Sequence, residues 1–200
     1  MINYKTLSII FVGCFLAFQL GYALGPTSSE KTFQAVAISN LGEGKVIEFS
    51  LKSYPGTGKT LLSIENALFE KDTQESLQRA RRLAEKYLGH ATNTDYEFSI
   101  LRENNLNGGS AGLEFALAIA SNELNKKLKK EVVVSSAIDE ELELIPVGGI
   151  DEKILAAIQQ EKKIFIVSET QPIKYEEQLS QQIQIIRVKT LAEAIEIAFE

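Results

Sequence analysis

"NLNGGSAGLEFALAIA", residues 105–120, is the stretch on which the fold and the chemistry turn. A polar loop over 103–109 leads into Gly108-Gly109-Ser110-Ala111-Gly112, and a strongly apolar helix is expected over 110–124. Ser110 therefore stands where a loop enters a helix, with little side-chain bulk around it. Glycines let a substrate backbone approach closely, and the free N–H groups of a helix start can stabilise an oxyanion. The same residues also fit a plainer role, in which Ser110 simply caps the helix after a flexible turn.

A serine nucleophile needs a base, and the chain restricts the choice. The turn satisfies G-x-S-x-G, the nucleophile elbow of α/β-hydrolases, but that arrangement requires an acid and then a histidine downstream of the serine. The single histidine, His90, lies upstream. A neutral lysine is the remaining type of base. Ser28-Ser29-Glu30-Lys31 has the S-x-x-K spelling of penicillin-binding enzymes, but it sits in a linker-like segment without their other motifs. "LIPVGGIDEKILAAIQQ", 144–160, offers Lys153 in the first turn of a helix that follows Gly148-Gly149. The field of a helix start and burial would both lower its pKa, while Asp151 and Glu152 would oppose that shift. From its own surroundings alone, Lys153 reads foremost as a solvated surface cation.

Outward from these motifs, strands are expected at 33–39, 45–53, 60–65, 94–102, 131–138, 141–146, 163–167 and 183–188. Further helices are expected at 72–89, 174–182 and 190–199. In the first of them Asp72 and Glu75 have capping-box spacing, and Leu77, Ala80, Leu83, Tyr87 and Leu88 trace an apolar stripe. Strands come first and then alternate with helices, which suggests an α+β domain with helices packed on a mixed sheet. Between the second and third strands lies "SYPGTGKTLL", 53–62, which resembles a phosphate-binding loop. That loop needs G-x-x-x-x-G-K-[ST], and its first glycine would fall at Ser53. A hairpin turn joining two strands fits better, and no ATP is expected.

Composition narrows the class. Of 200 residues, 44% are hydrophobic and 24% charged, which suits one globular domain, and a net charge of −6 argues against a nucleic-acid partner. One cysteine and one histidine exclude a disulfide framework and make no metal site. Residues 7–25 are apolar behind a short basic start, so 1–25 reads as a signal peptide or an N-terminal membrane anchor, with 7–24 in the membrane. Pro26 disfavours cleavage after Gly25, making an anchor the preferred expectation. Lys5 places the start in the cytoplasm and the rest of the chain outside it, membrane-anchored or secreted. Residues 26–32 have linker composition, leaving 33–200 as the domain.

"GGSAGLEFALAIA" and "IPVGGIDEKILAA" together resemble the peptidase domain of Lon proteases, in which a serine of a G-x-S-A-G-like turn and a lysine of G-G-x-x-x-K form a Ser/Lys dyad. Positions 110 and 153 match the family's separation, and the likeness extends over most of 33–199. It is nearest to the membrane-anchored or secreted Lon-like proteases. The resemblance implies the Lon proteolytic-domain fold, which is ribosomal protein S5 domain 2-like. It also implies a cofactor-free, ATP-independent serine endopeptidase acting on proteins or peptides outside the cytoplasm. In that reading Ser110 is the nucleophile, Lys153 the general base, Ser135 a support that orients the lysine amine, and the N–H groups near Gly109 and Ser110 the oxyanion hole. Self-association into a homo-oligomer is an assembly the family allows. The sequence departs from the family at Asn107, where an acid is common. It departs again in the T-G-E-x-x-x-x-G stretch, where Ser136, Ala137 and Glu141 stand for Gly, Glu and Gly. Those changes keep open a rival reading, a catalytically weak Lon-like interaction module.

Overall fold

A computed structural model describes residues 28–39, 41–65, 69–101 and 109–200. The expected anchor or signal over 1–25 and the departure at Asn107 lie outside these residues. Among the described residues, no helix is long and apolar enough to cross a membrane.

Four strands make a mixed sheet in the order β1-β2-β4-β3: β1 (Ser29–Ile38), β2 (Gly44–Pro55), β3 (Thr60–Leu62) and β4 (Thr94–Ile100). β1, β2 and β4 are antiparallel neighbours, with Phe33 opposite Phe49 and Leu51 opposite Phe98. Alternation puts those rings on one face. Against that face lie two helices, α1 (Lys71–Leu88) and α2 (Gly112–Glu123). Phe115 of α2 meets Phe49 and Phe98 edge-on at 5.3 and 5.4 Å. Every residue of α2 from Gly112 to Ser121 is buried, so the continuous apolar run reads as a core helix, not an amphipathic surface one.

The remaining strands do not join that sheet. β5 (Val132–Ser135), β8 (Ile164–Ser168) and β9 (Gln184–Val188) form a separate parallel sheet, while β6 (Ala137–Ile138) and β7 (Leu144–Ile145) pair as a small hairpin. α3 (Ile150–Gln159) covers the parallel sheet through Ile150, Ile154 and Ala157. α4 (Glu176–Leu179) links β8 to β9, and α5 (Leu191–Ala198) closes the chain against the first core. The whole is α+β, with mixed pairing and packed helices.

Three local expectations change. β1 begins at Ser29, inside the segment 26–32 that composition marks as linker. Pairing reaches that far because Ser29 Oγ bonds Ser53 Oγ at 2.9 Å and Lys31 Nζ donates to Ser121 O at 2.7 Å, tying the strand end to α2. In α1 the N-cap is Glu70 without a side-chain cap bond, so Asp72 falls in the first turn and the Asp72/Glu75 spacing is not a capping box. Tyr87 is exposed, and the stripe closes on Ala84 instead.

The third change concerns residues 55–59, which do not turn a hairpin. β3 pairs with β4, in parallel, and not with β2; the chain steps over the end of β4 to reach its far side. What shapes the crossing is Asp95, whose Oδ1 accepts from the N–H groups of Thr57 at 2.8 Å and Lys59 at 2.7 Å. Hydrogen bonds from Lys59, Thr57 and Gly58 N–H hold the Asp95 carboxyl below its ordinary pKa. A Cβ at Gly56 would sit 2.2 Å from Asp95 Cγ, so only glycine lets the loop wrap this closely.

Candidate active site

Gly109 and Ser110, both half-buried, stand directly before α2. The N-cap of α2 is Ala111, and no side-chain cap bond is made there. Ser110 therefore precedes the cap, and the plain capping role is not what its hydroxyl performs. The turn is pinned through its carbonyl: Gly109 O accepts from Gly112 N–H at 3.2 Å and from Ser76 Oγ of α1 at 3.1 Å. Neither Ser110 N–H nor Ala111 N–H donates a backbone hydrogen bond among the described residues. One residue into the helix, Leu113 N–H donates to Ser136 O at 3.1 Å, tying this end of α2 to the chain just after β5.

Lys153 reaches the same strand from the other side. Gly149 caps α3 in the left-handed region at φ 62°, and its O accepts from Lys153 N–H at 3.1 Å. A side chain at Gly149 would be strained by that φ and would also run into Ile38, 2.7 Å from its Cβ. Lys153 is 3% exposed, and its Nζ donates to Ser135 Oγ at 3.4 Å. Burial lowers its pKa to about 8, because an ammonium ion loses hydration there. Asp151 does not counter this: its carboxylate is turned outward, accepting from Tyr175 N–H at 2.8 Å and Lys174 N–H at 3.3 Å. Ser110 and Lys153 share no hydrogen bond among the described residues; what brings their elements together is the buried pair Ser135–Ser136, gripped by α2 on one side and by the lysine amine on the other.

A match to the Lon protease C-terminal proteolytic domain covers residues 104–200, the stretch that holds both elements. Over these residues the chain resembles the Lon proteolytic-domain family. The chain is 31% identical over 96 residues to the Lon protease of Trichlorobacter lovleyi, covering 46% of this chain and 12% of that one. It is 34% identical over 95 residues to the archaeal Lon protease of Methanocaldococcus jannaschii, covering 48% of this chain and 14% of the relative. A longer match, 25% identical over 166 residues, relates 78% of this chain to 20% of the Lon protease of Lachnoclostridium phytofermentans. The chain thus spans a minor part of the length of each of these Lon relatives.

Counted from Ser135, the last glycine of T-G-E-x-x-x-x-G falls at Leu142 and not at Glu141. The backbone enters the left-handed region there, at φ 66°, where the turn favours the family's glycine. The hairpin forms nonetheless, with Asp139 Oδ1 accepting from Glu143 N–H at 2.8 Å and Ser136 Oγ donating to Ile145 O at 3.0 Å.

Two features were not legible in the Lon-like motifs. Glu114 sits 4% exposed on α2, and burial first of all raises its pKa to about 8, against a lowering by Lys162. Both groups line a cavity of about 600 Å³, with Gln34, Glu131 and Val134, away from the Ser110 turn. Ser76 is 2% exposed, and its sequence signal is no more than a hydroxyl beside Leu77 on the buried face of α1. His90 is exposed, with Nδ1 3.1 Å from its neighbour's carbonyl, Ala91 O. Among the described residues no group of three or more His, Cys, Asp or Glu is placed to hold a metal.

Proposed function

We propose that this chain is a serine peptidase in which Ser110 attacks the scissile carbonyl and Lys153 serves as general base. The observation that carries the reading is Lys153 itself: a buried amine, one serine hydroxyl away from the strand that anchors the Ser110 turn, with its charged form disfavoured. The neutral amine takes the Ser110 hydroxyl proton as Oγ bonds to the carbonyl carbon. Charge then develops on the carbonyl oxygen, where the N–H of Ser110, without a backbone acceptor among the described residues, is a suitable donor. Lys153 returns the proton to the leaving amine. Water, deprotonated by the same lysine, cleaves the acyl-enzyme. Ser135 Oγ holds the amine in place between these transfers.

The substrates in this reading are extracytoplasmic proteins or peptides, and the catalytic part lies outside the cytoplasm behind the apolar segment 7–24. Turnover in this reading needs no nucleotide. The one loop that spells like a phosphate site has its N–H groups occupied by Asp95. Millimolar ATP-Mg is expected to change neither Tm nor turnover.

The test is hydrolysis of an unfolded, fluorescently labelled protein by the chain. Ser110→Ala and Lys153→Ala are each expected to lower kcat/KM about 10³-fold or more. Unchanged turnover in both variants would remove the dyad. The rival reading, a catalytically weak interaction module, draws support from Leu142 in the left-handed region and from the absence of a Ser110–Lys153 hydrogen bond. Binding of unfolded protein without cleavage over alkaline pH would favour it.

A further inference from the structure

We infer that Ser76 is a positioning residue for catalysis: by holding the Gly109 carbonyl against α1, it turns the Ser110 N–H toward the substrate as an oxyanion donor. The inference rests on the peptidase reading above. It begins with a residue that has no obvious reason to be polar. Ser76 lies on the buried face of α1 beside Leu77, and Ala80 and Ala84 follow it there. Serine is a poorer helix former than alanine, and a buried hydroxyl in a helix commonly bonds back to a carbonyl of the preceding turn. Ser76 Oγ instead reaches across to Gly109 O at 3.1 Å.

That contact fixes more than a carbonyl. The described peptide bonds are all trans, and in a trans peptide the C=O of one residue and the N–H of the next point in opposite directions. Gly109 C=O faces α1, so Ser110 N–H faces away from it. Gly112 N–H donates to the same oxygen at 3.2 Å, giving the peptide plane two anchors from different elements. The second observation is independent of the first: among the described residues, neither Ser110 N–H nor Ala111 N–H has a backbone acceptor. Backbone donors beside a core helix are normally paired, so one in a pinned plane with no described partner is a donor turned toward an outside acceptor.

The experiment compares wild type with Ser76→Ala for peptide hydrolysis and for inhibition by a peptide boronate, whose tetrahedral adduct places an oxygen at the oxyanion position. Losing the anchor costs less than deleting a donor outright, so kcat is expected to fall about 10- to 100-fold with KM unchanged. The boronate should weaken by the same factor as kcat/KM, while the pH midpoint set by Lys153 stays near 8. A loss of packing alone would not make those two quantities move together. If Ser76→Ala does not fold, Ser76→Cys keeps the volume, weakens the donor and carries the same readouts, with a smaller drop expected. Full kcat in the variant, or a change confined to KM, overturns the inference. A wild-type chain that cleaves nothing and is not acylated at Ser110 contradicts the peptidase reading itself, which separates the two failures.

Discussion

Two glycine-bearing turns in this protein present backbone N–H groups, and they end up in opposite states. At 57–59 the donors converge on the Asp95 carboxylate, which occupies the position a phosphate would take in a nucleotide site. At 110–111 the N–H groups have no backbone acceptor among the described residues, while the carbonyl before them is tied down twice. By spelling, the first turn resembles a binding loop more closely than the second. By hydrogen bonding, the first is closed and the second open. A turn that binds something is recognised by what it leaves unpaired.

The contrast can be broken, beginning where the effect is largest. Lys153→Met should abolish hydrolysis and stabilise the fold. Between its folded pKa of about 8 and its ordinary 10.5, the unfolded chain holds a proton that the folded chain has released. Stability from this group therefore climbs as pH rises through that window and is lowest below pH 8. Removing the amine should recover up to about 3 kcal/mol at pH 7, seen as a shift in the urea midpoint. A destabilised Lys153→Met would mean that the amine is not in a site that resists its charge.

Asp95→Ala should do the reverse, lowering Tm while leaving kcat/KM unchanged, because it empties a turn with no part in the chemistry. Its carboxyl has a lowered pKa in the fold, so its contribution is present above the ordinary 3.8 and is lost as pH falls through the lowered value. Equal losses of activity and stability in Asp95→Ala would erase the distinction between the turns. The smallest effect is expected at Leu142, whose φ of 66° costs a non-glycine residue about 1 kcal/mol. Leu142→Gly should gain up to that amount, offset by the packing its half-buried side chain gives up, with the rate little changed.

How much of this could be read in the chain follows from how locally each feature is specified. The core helix α2 was legible because its apolar run is continuous, and the helix carrying Lys153 because Gly148-Gly149 announces its start. The partition of strands into two sheets and a hairpin was not, because strand period says which face is buried but not which neighbour is paired. The same limit turned β3 from an expected hairpin partner of β2 into a parallel neighbour of β4. At the site, Ser110, Gly109, Ser135 and Lys153 carried sequence signals. The burial of Lys153, the outward turn of Asp151 and the reach of Ser76 to Gly109 O depend on contacts between residues far apart in the chain.

The most direct test is the pH dependence of Ser110 acylation by a fluorophosphonate, read as a mass shift on the peptide that contains Ser110. The rate should rise with pH to a half-maximum near 8, as Lys153 sheds its proton, and should vanish in Lys153→Ala. No label on Ser110 at any pH, or labelling that persists unchanged in Lys153→Ala, would contradict the dyad.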